Sequence, residues 1–158
     1  MEDGRNDVGF LARHIHELTK RQMNAHVQEL GLTMSQSFVL LVLKGRSCAD
    51  CKTNIRDLEA ALQVTHPTVI GLVKRLEEKG YIYEEQDVSD HRVRNVFLTD
   101  KANEVMEQMD LGRKRTEACA IEGLTPEEIS IMKKGLRTVL SNLTEADKKI
   151  TIKEVPYD

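Results

Sequence analysis

Two stretches of this chain carry residue types that could do chemistry. The first is "THPTVIGLVKRLEEKG", residues 65–80. Val69, Val73 and Leu76 recur at helical spacing, with Leu72 beside them, and define an inner stripe. The opposite face then carries His66, Thr68, Ile70, Gly71, Lys74, Arg75 and Glu78. Such a mixture suits the major groove of double-stranded DNA. Thr68 can hydrogen-bond a base edge, and Ile70 can meet a thymine methyl. Lys74 and Arg75 suit phosphates, and the helix start near Thr65 and Pro67 offers backbone N–H groups that favour an anion. The second stretch is "EEQDVSDHRVRN", residues 84–95. It opens with acids at 84, 85 and 87, turns through "DVSD", and ends in Arg92 and Arg94. A hairpin tip bearing arginine fits the narrow, strongly negative minor groove. Asp90 stands two residues before Arg92, placed to accept its hydrogen bonds and aim it, while the acids stay at the loop base. The plain alternatives are a solvated helix face and an exposed turn with incidental charge.

A third candidate is "SCADC", in which Cys48 and Cys51 form one C-x-x-C. That is half a tetrahedral zinc site, completed only by Cys119, a histidine or a second subunit. It is equally a dithiol that oxidises reversibly, or a pair of ordinary surface thiols. His14 and His16 are two residues apart on a helix and do not share a face, so they make a poor chelating pair. His91 would add partial charge to the hairpin tip at mildly acidic pH. The sequence has no G-x-S-x-G, no Gly-rich phosphate loop and no H-E-x-x-H, and an enzyme is not expected.

These residues need elements to hold them. The chain has 158 residues, the size of one domain, and 23 basic against 26 acidic residues give a net charge of -3. Bulk attraction to DNA or to an anionic membrane does not follow from that balance, so any positive charge that binds DNA must be local. The segment "MEDGRNDVGF" is polar and acidic, unlike a signal peptide, and the apolar run "FVLLVL" is too short to span a membrane. Three cysteines without a secretory signal predict a reducing, cytoplasmic location.

Residues 8–30 read as an amphipathic helix through Val8, Leu11, Ile15, Leu18, Val27 and Leu30, stopped by Gly31. Thr33 and Gln36 have capping-box spacing ahead of a helix through Leu43, whose apolar run implies burial on most sides. Asn54 can cap "IRDLEAAL", with Ile55, Leu58 and Leu62 inward. "QVTH" reads as a tight turn, and Pro67 suits the first turn of the next helix, with Gly80 after its end. "YIYEE" and "RNVFLT" are β-branched and aromatic enough to pair. Helical period returns from Asp100, and Thr125, Pro126 and Glu128 start a last helix. Its Ile129, Met132, Leu136, Val139 and Leu143 form a heptad seam. The fold expected is mainly α with a small β-hairpin wing: a winged helix-turn-helix over residues 33–99 within a single domain, 1–158. Helices over 8–30 and 100–143 flank it, and their apolar stripes call for a second copy of the chain.

"LVKRLEEKGYI" followed by "DVSDHRVRNVFLT" resembles the MarR family of bacterial transcriptional regulators. Asp90, Arg92, Leu98 and Thr99 fall on that family's wing pattern, and the flanking helices are similar in order and length. The resemblance implies a homodimer on a pseudo-palindromic operator, with a small-molecule effector between dimer helices and winged-helix lobe. Two positions depart from it. Gly71 stands where similar proteins often carry a polar or basic base reader, and Lys74 where they are often acidic. The loop holding Cys48 and Cys51 is usually shorter in similar proteins. A redox- or metal-responsive regulator and a winged-helix protein–protein module without DNA affinity remain the alternatives.

Overall fold

Local chemistry sets each helix boundary. The computed structural model describes residues 7–46 and 52–153. Helix α1 (Val8–Glu29) starts where the Asp7 carboxylate accepts from the Phe10 N–H at 2.6 Å. It ends at Gly31, whose φ of 72° is left-handed. Helix α2 (Met34–Gly45) begins with a reciprocal box: the Gln36 N–H donates to Thr33 Oγ1, and the Thr33 N–H donates to Gln36 Oε1. Helix α3 (Ile55–Leu62) repeats the device with Asn54 and Asp57. The turn to α4 (His66–Glu78) is residues 63–65, and Gln63 takes a left-handed φ of 53°. His66 is therefore the first residue of α4 rather than the end of the turn. Strands β1 (Ile82–Gln86) and β2 (Arg94–Leu98) pair antiparallel, Ile82 opposite Leu98 and Gln86 opposite Arg94. Helices α5 (Asp100–Ala120) and α6 (Pro126–Lys153) follow. Thr125 and Glu128 cap α6 as their spacing predicts, but the helix continues well past the seam that ends at Leu143.

Two compact units divide within α5, after Thr116. In the first, the core joins α2, α3, α4 and the hairpin through Leu40, Leu58, Val69, Val73, Leu76, Ile82 and Val96. Val27 and Leu32 close one side, and Ala102, Val105, Met106 and Met109 of α5 also join this core. Thr99 links the end of the wing to α5: its hydroxyl donates to Gly80 O at 2.8 Å and caps the Ala102 N–H at 3.3 Å. The second unit contains α6, where Met132, Leu136, Val139 and Leu143 are exposed.

Burial along the first two helices departs from expectation in α2 alone. Of the α1 stripe only Val27 is buried, while Val8, Leu11, Ile15 and Leu18 are exposed, Ile15 at 60%. The "FVLLVL" run is not buried on most sides either. Val39, Leu40 and Leu43 are inside, whereas Phe38 and Leu41 are each about half exposed, because α2 has one face on the lobe core and another off it. Among the described residues no helix is long and apolar enough to cross a membrane.

Candidate nucleic-acid interface

Some of the sequence-predicted residues share one concave surface of the first unit. A groove of about 870 Å³ lies between α4 and the wing. From α4 it takes His66, Ile70 and Lys74, and from the wing Asp90, Arg92 and Arg94. Thr65, Thr68 and Arg75 are exposed and Gly71 is half-buried, but none of the four lines this groove. Thr65 does not cap α4 with its side chain; its hydroxyl and that of Thr68 lie 2.9 Å apart. The inner stripe is as expected, with Val69, Leu72, Val73 and Leu76 all buried.

Charge in the groove is unevenly engaged. The Glu59 carboxylate on α3 meets His66 Nδ1. Arg94 Nη1 lies 3.4 Å from Glu84, so its charge is partly answered within the hairpin. The side chains of Lys74 and Arg92 have no hydrogen-bond or ion-pair partner among the described residues. Asp90 supports the wing, but differently from the expectation. Its carboxylate accepts from the backbone N–H of Arg92 at 3.0 Å, not from the guanidinium. It sets the path of the chain and leaves the arginine head exposed.

The residue that holds the wing in place is Asp87, which charge pattern alone placed at the loop base as a bystander. Its side chain is nearly buried and fully bonded. Oδ1 accepts from the Ser89 N–H at 2.8 Å and from the Ser89 hydroxyl at 2.5 Å. Oδ2 accepts from Lys52 Nζ at 2.7 Å and from the Asn95 amide at 2.9 Å. Asp87 thus joins the wing turn, β2 and the segment before α3. Backbone adds to the same joint: Val96 N–H donates to Thr53 O at 2.8 Å, and Asn54 bridges Asn95. The D-x-S-D spacing is an Asx-turn signal, which marks the turn but not the lysine that answers it from 35 residues away.

Lys52 foremost, then Ser89 and Asn95, hold the Asp87 carboxyl far below the usual carboxylate range. A depressed pKa means that its contribution is complete above the ordinary aspartate value and is lost only as pH falls toward the folded one. Asp87→Asn, which places an amide where an acceptor oxygen faces the Lys52 ammonium, is expected to weaken DNA binding several-fold with the core intact. The ratio of wild-type to variant affinity should stay constant from about pH 5 to 8. A binding titration across that range checks both statements; a ratio that changes through neutrality would contradict them.

Sequence reading missed Asn54 and Arg56, which line the groove from the start of α3. Cys48 and Cys51 lie outside the described residues, and Cys119 is exposed on α5.

The chain is similar to known transcriptional regulators. A family model described as "MarR family" matches residues 30–93. The HTH-type transcriptional repressor MdtR of Bacillus subtilis is 25% identical over 148 residues, which are 94% of this chain and 92% of MdtR. The structure of a mutant of Staphylococcus aureus MepR, bound to an oligodeoxyribonucleotide, matches with a TM-score of 0.71 and 30% identity. The match covers 87% of this chain and 98% of that one. MepR itself, described as a transcription regulator of the multidrug efflux pump MepA, matches with a TM-score of 0.80 and 28% identity over the same shares.

Proposed function

The chain belongs to the MarR family of transcriptional regulators, and from that premise we propose that it binds a pseudo-palindromic operator as a homodimer. Helix α4 enters the major groove, where Thr65, His66, Thr68, Ile70, Gly71, Lys74 and Arg75 face bases and phosphates. The wing enters the neighbouring minor groove with Arg92 in front and Arg94 behind it. The observation that carries this reading is the groove between α4 and the wing, with Lys74 and Arg92 unpartnered on its two walls among the described residues. The DNA-bound MepR structure supports it as the state of a relative.

Dimerisation rests on two uncovered stripes. Val8, Leu11, Ile15 and Leu18 on α1 are exposed, as are Met132, Leu136, Val139 and Leu143 on α6, Leu143 at 64%. Helices whose apolar stripe meets water are expected to bury it against another chain. A two-fold dimer would then set its recognition helices about 34–36 Å apart, or a multiple of that repeat. Equilibrium sedimentation should give a dimer at micromolar concentration, and a gel shift on DNA flanking the gene should give a complex that resists random competitor. A monomer, or no preference over random DNA, would favour the protein–protein module instead. A small-molecule effector belongs to the same reading, and the exposed Phe38 and Leu41 on α2 suit an apolar one. An effector that releases operator equally well from wild type and from a Phe38→Ala, Leu41→Ala protein would contradict that assignment.

A further inference from the structure

We propose that Arg56, on the helix before the recognition helix, is a phosphate-binding arm of the DNA interface. The inference rests on the DNA-binding reading above. Arg56 is the second residue of α3, is exposed, and lines the groove between α4 and the wing. Its backbone N–H is already taken by Asn54 Oδ1 at 2.9 Å, so the side chain is what it offers.

An exposed arginine in a mixed-charge groove is usually captured by a neighbouring acid. Here all the candidates but Glu77 are engaged elsewhere. Asp57 accepts from the Asn54 N–H at 2.9 Å and faces Arg46 at 3.6 Å. Glu59, one turn along, holds His66. Across the groove, Glu84 holds Arg94, and Asp90 accepts from the Arg92 backbone. Glu77 remains, and on α4 it lies one turn after Lys74. Among the described residues the Arg56 guanidinium has no hydrogen-bond or ion-pair partner. Three unengaged cations therefore line one groove from three different elements: Arg56 from α3, Lys74 from α4 and Arg92 from the wing. The first helix of a helix-turn-helix crosses the DNA backbone while the second enters the groove. A cation at the start of α3 is thus placed for a phosphate, not a base.

Phosphate binding has a thermodynamic signature. Each phosphate neutralised releases counterions and adds about 0.9 to the slope of log affinity against log salt. The test is a fluorescence-anisotropy titration of the full-length protein on operator and on a scrambled duplex, at several salt concentrations. Arg56→Ala should lower affinity several-fold at low salt, by the same factor on both duplexes, and reduce the slope by about 0.9 for each phosphate that Arg56 neutralises. Arg56→Lys keeps the charge and should keep most of the slope. Thermal unfolding should be unchanged, since the side chain supports no other group. An unchanged slope in Arg56→Ala, or a weakening confined to the operator, would overturn the phosphate role while leaving the DNA-binding reading intact. A wild-type protein without DNA affinity would overturn both.

Discussion

Arg92→Ala is expected to weaken operator binding by about 1–3 kcal/mol, roughly a 5- to 150-fold rise in Kd. The size follows from how the tip is built. Asp90 accepts from the Arg92 N–H at 3.0 Å, Val93 N–H donates to Asp90 O at 2.9 Å, and Asp87 N–H donates to Val93 O at 2.9 Å. The backbone is fixed before DNA arrives, so little ordering cost falls on the tip itself. The guanidinium, by contrast, has nothing to give up except water. Arg94 is the internal control. It stands in β2 with Glu84 at 3.4 Å, and its removal frees an acid as well as deleting a cation. Arg94→Ala should cost less than Arg92→Ala, and Arg94→Ala with Glu84→Gln should cost less again. Because arginine prefers a narrow minor groove, the effect of Arg92→Ala should be larger where A·T pairs flank the half-site. An affinity unchanged within error, in a protein that still folds, would remove the wing from the interface.

The second large effect lies away from the groove. Gly112 of α5 is buried against His26 of α1, and a Cβ built there would lie 1.9 Å from the imidazole Cδ2 and 2.2 Å from Nε2, a hard overlap. Turning the ring aside would give up the contact of its Nε2 with Gln108 O at 2.9 Å and of its Nδ1 with Glu29 at 3.6 Å. Gly112→Val is expected to destabilise the protein by about 1–3 kcal/mol through overpacking. Gly112→Ala should cost less, since alanine restores about 1 kcal/mol of helix propensity. Chemical denaturation of the two variants, each alone and with His26→Ala, measures the coupling. Recovery of stability in the Gly112→Val, His26→Ala protein would locate the strain where these two residues meet. Equal stability of wild type and Gly112→Val would show that α1 and α5 need no close approach here.

The elements were legible because their ends are written in side chains. Thr33 with Gln36, Asn54 with Asp57 and Thr125 with Glu128 each cap a helix as their spacing predicts. The outer face of α4 was legible because Val69, Val73 and Leu76 define its reverse. What stayed hidden is what chain separation hides. Lys52 reaches Asp87 through space, and no periodicity joins residues 35 apart. Arg56 belongs to no motif or periodic stripe; only the groove shows which acids leave it unengaged. Gly112 interrupts α5 with no local signal, since its reason is a ring on α1. The stripe on α1 was read correctly as apolar, but amphipathicity does not say which partner covers it.

The most direct test of the central claim is hydroxyl-radical footprinting of the full-length protein on the DNA flanking its gene. The account predicts protection in two symmetric half-sites whose centres lie about 34–36 Å apart or a multiple of that repeat, each with major-groove protection and an adjoining minor-groove patch that Arg92→Ala alone removes. A single unsymmetric footprint, or protection that spreads evenly over any sequence, would contradict it.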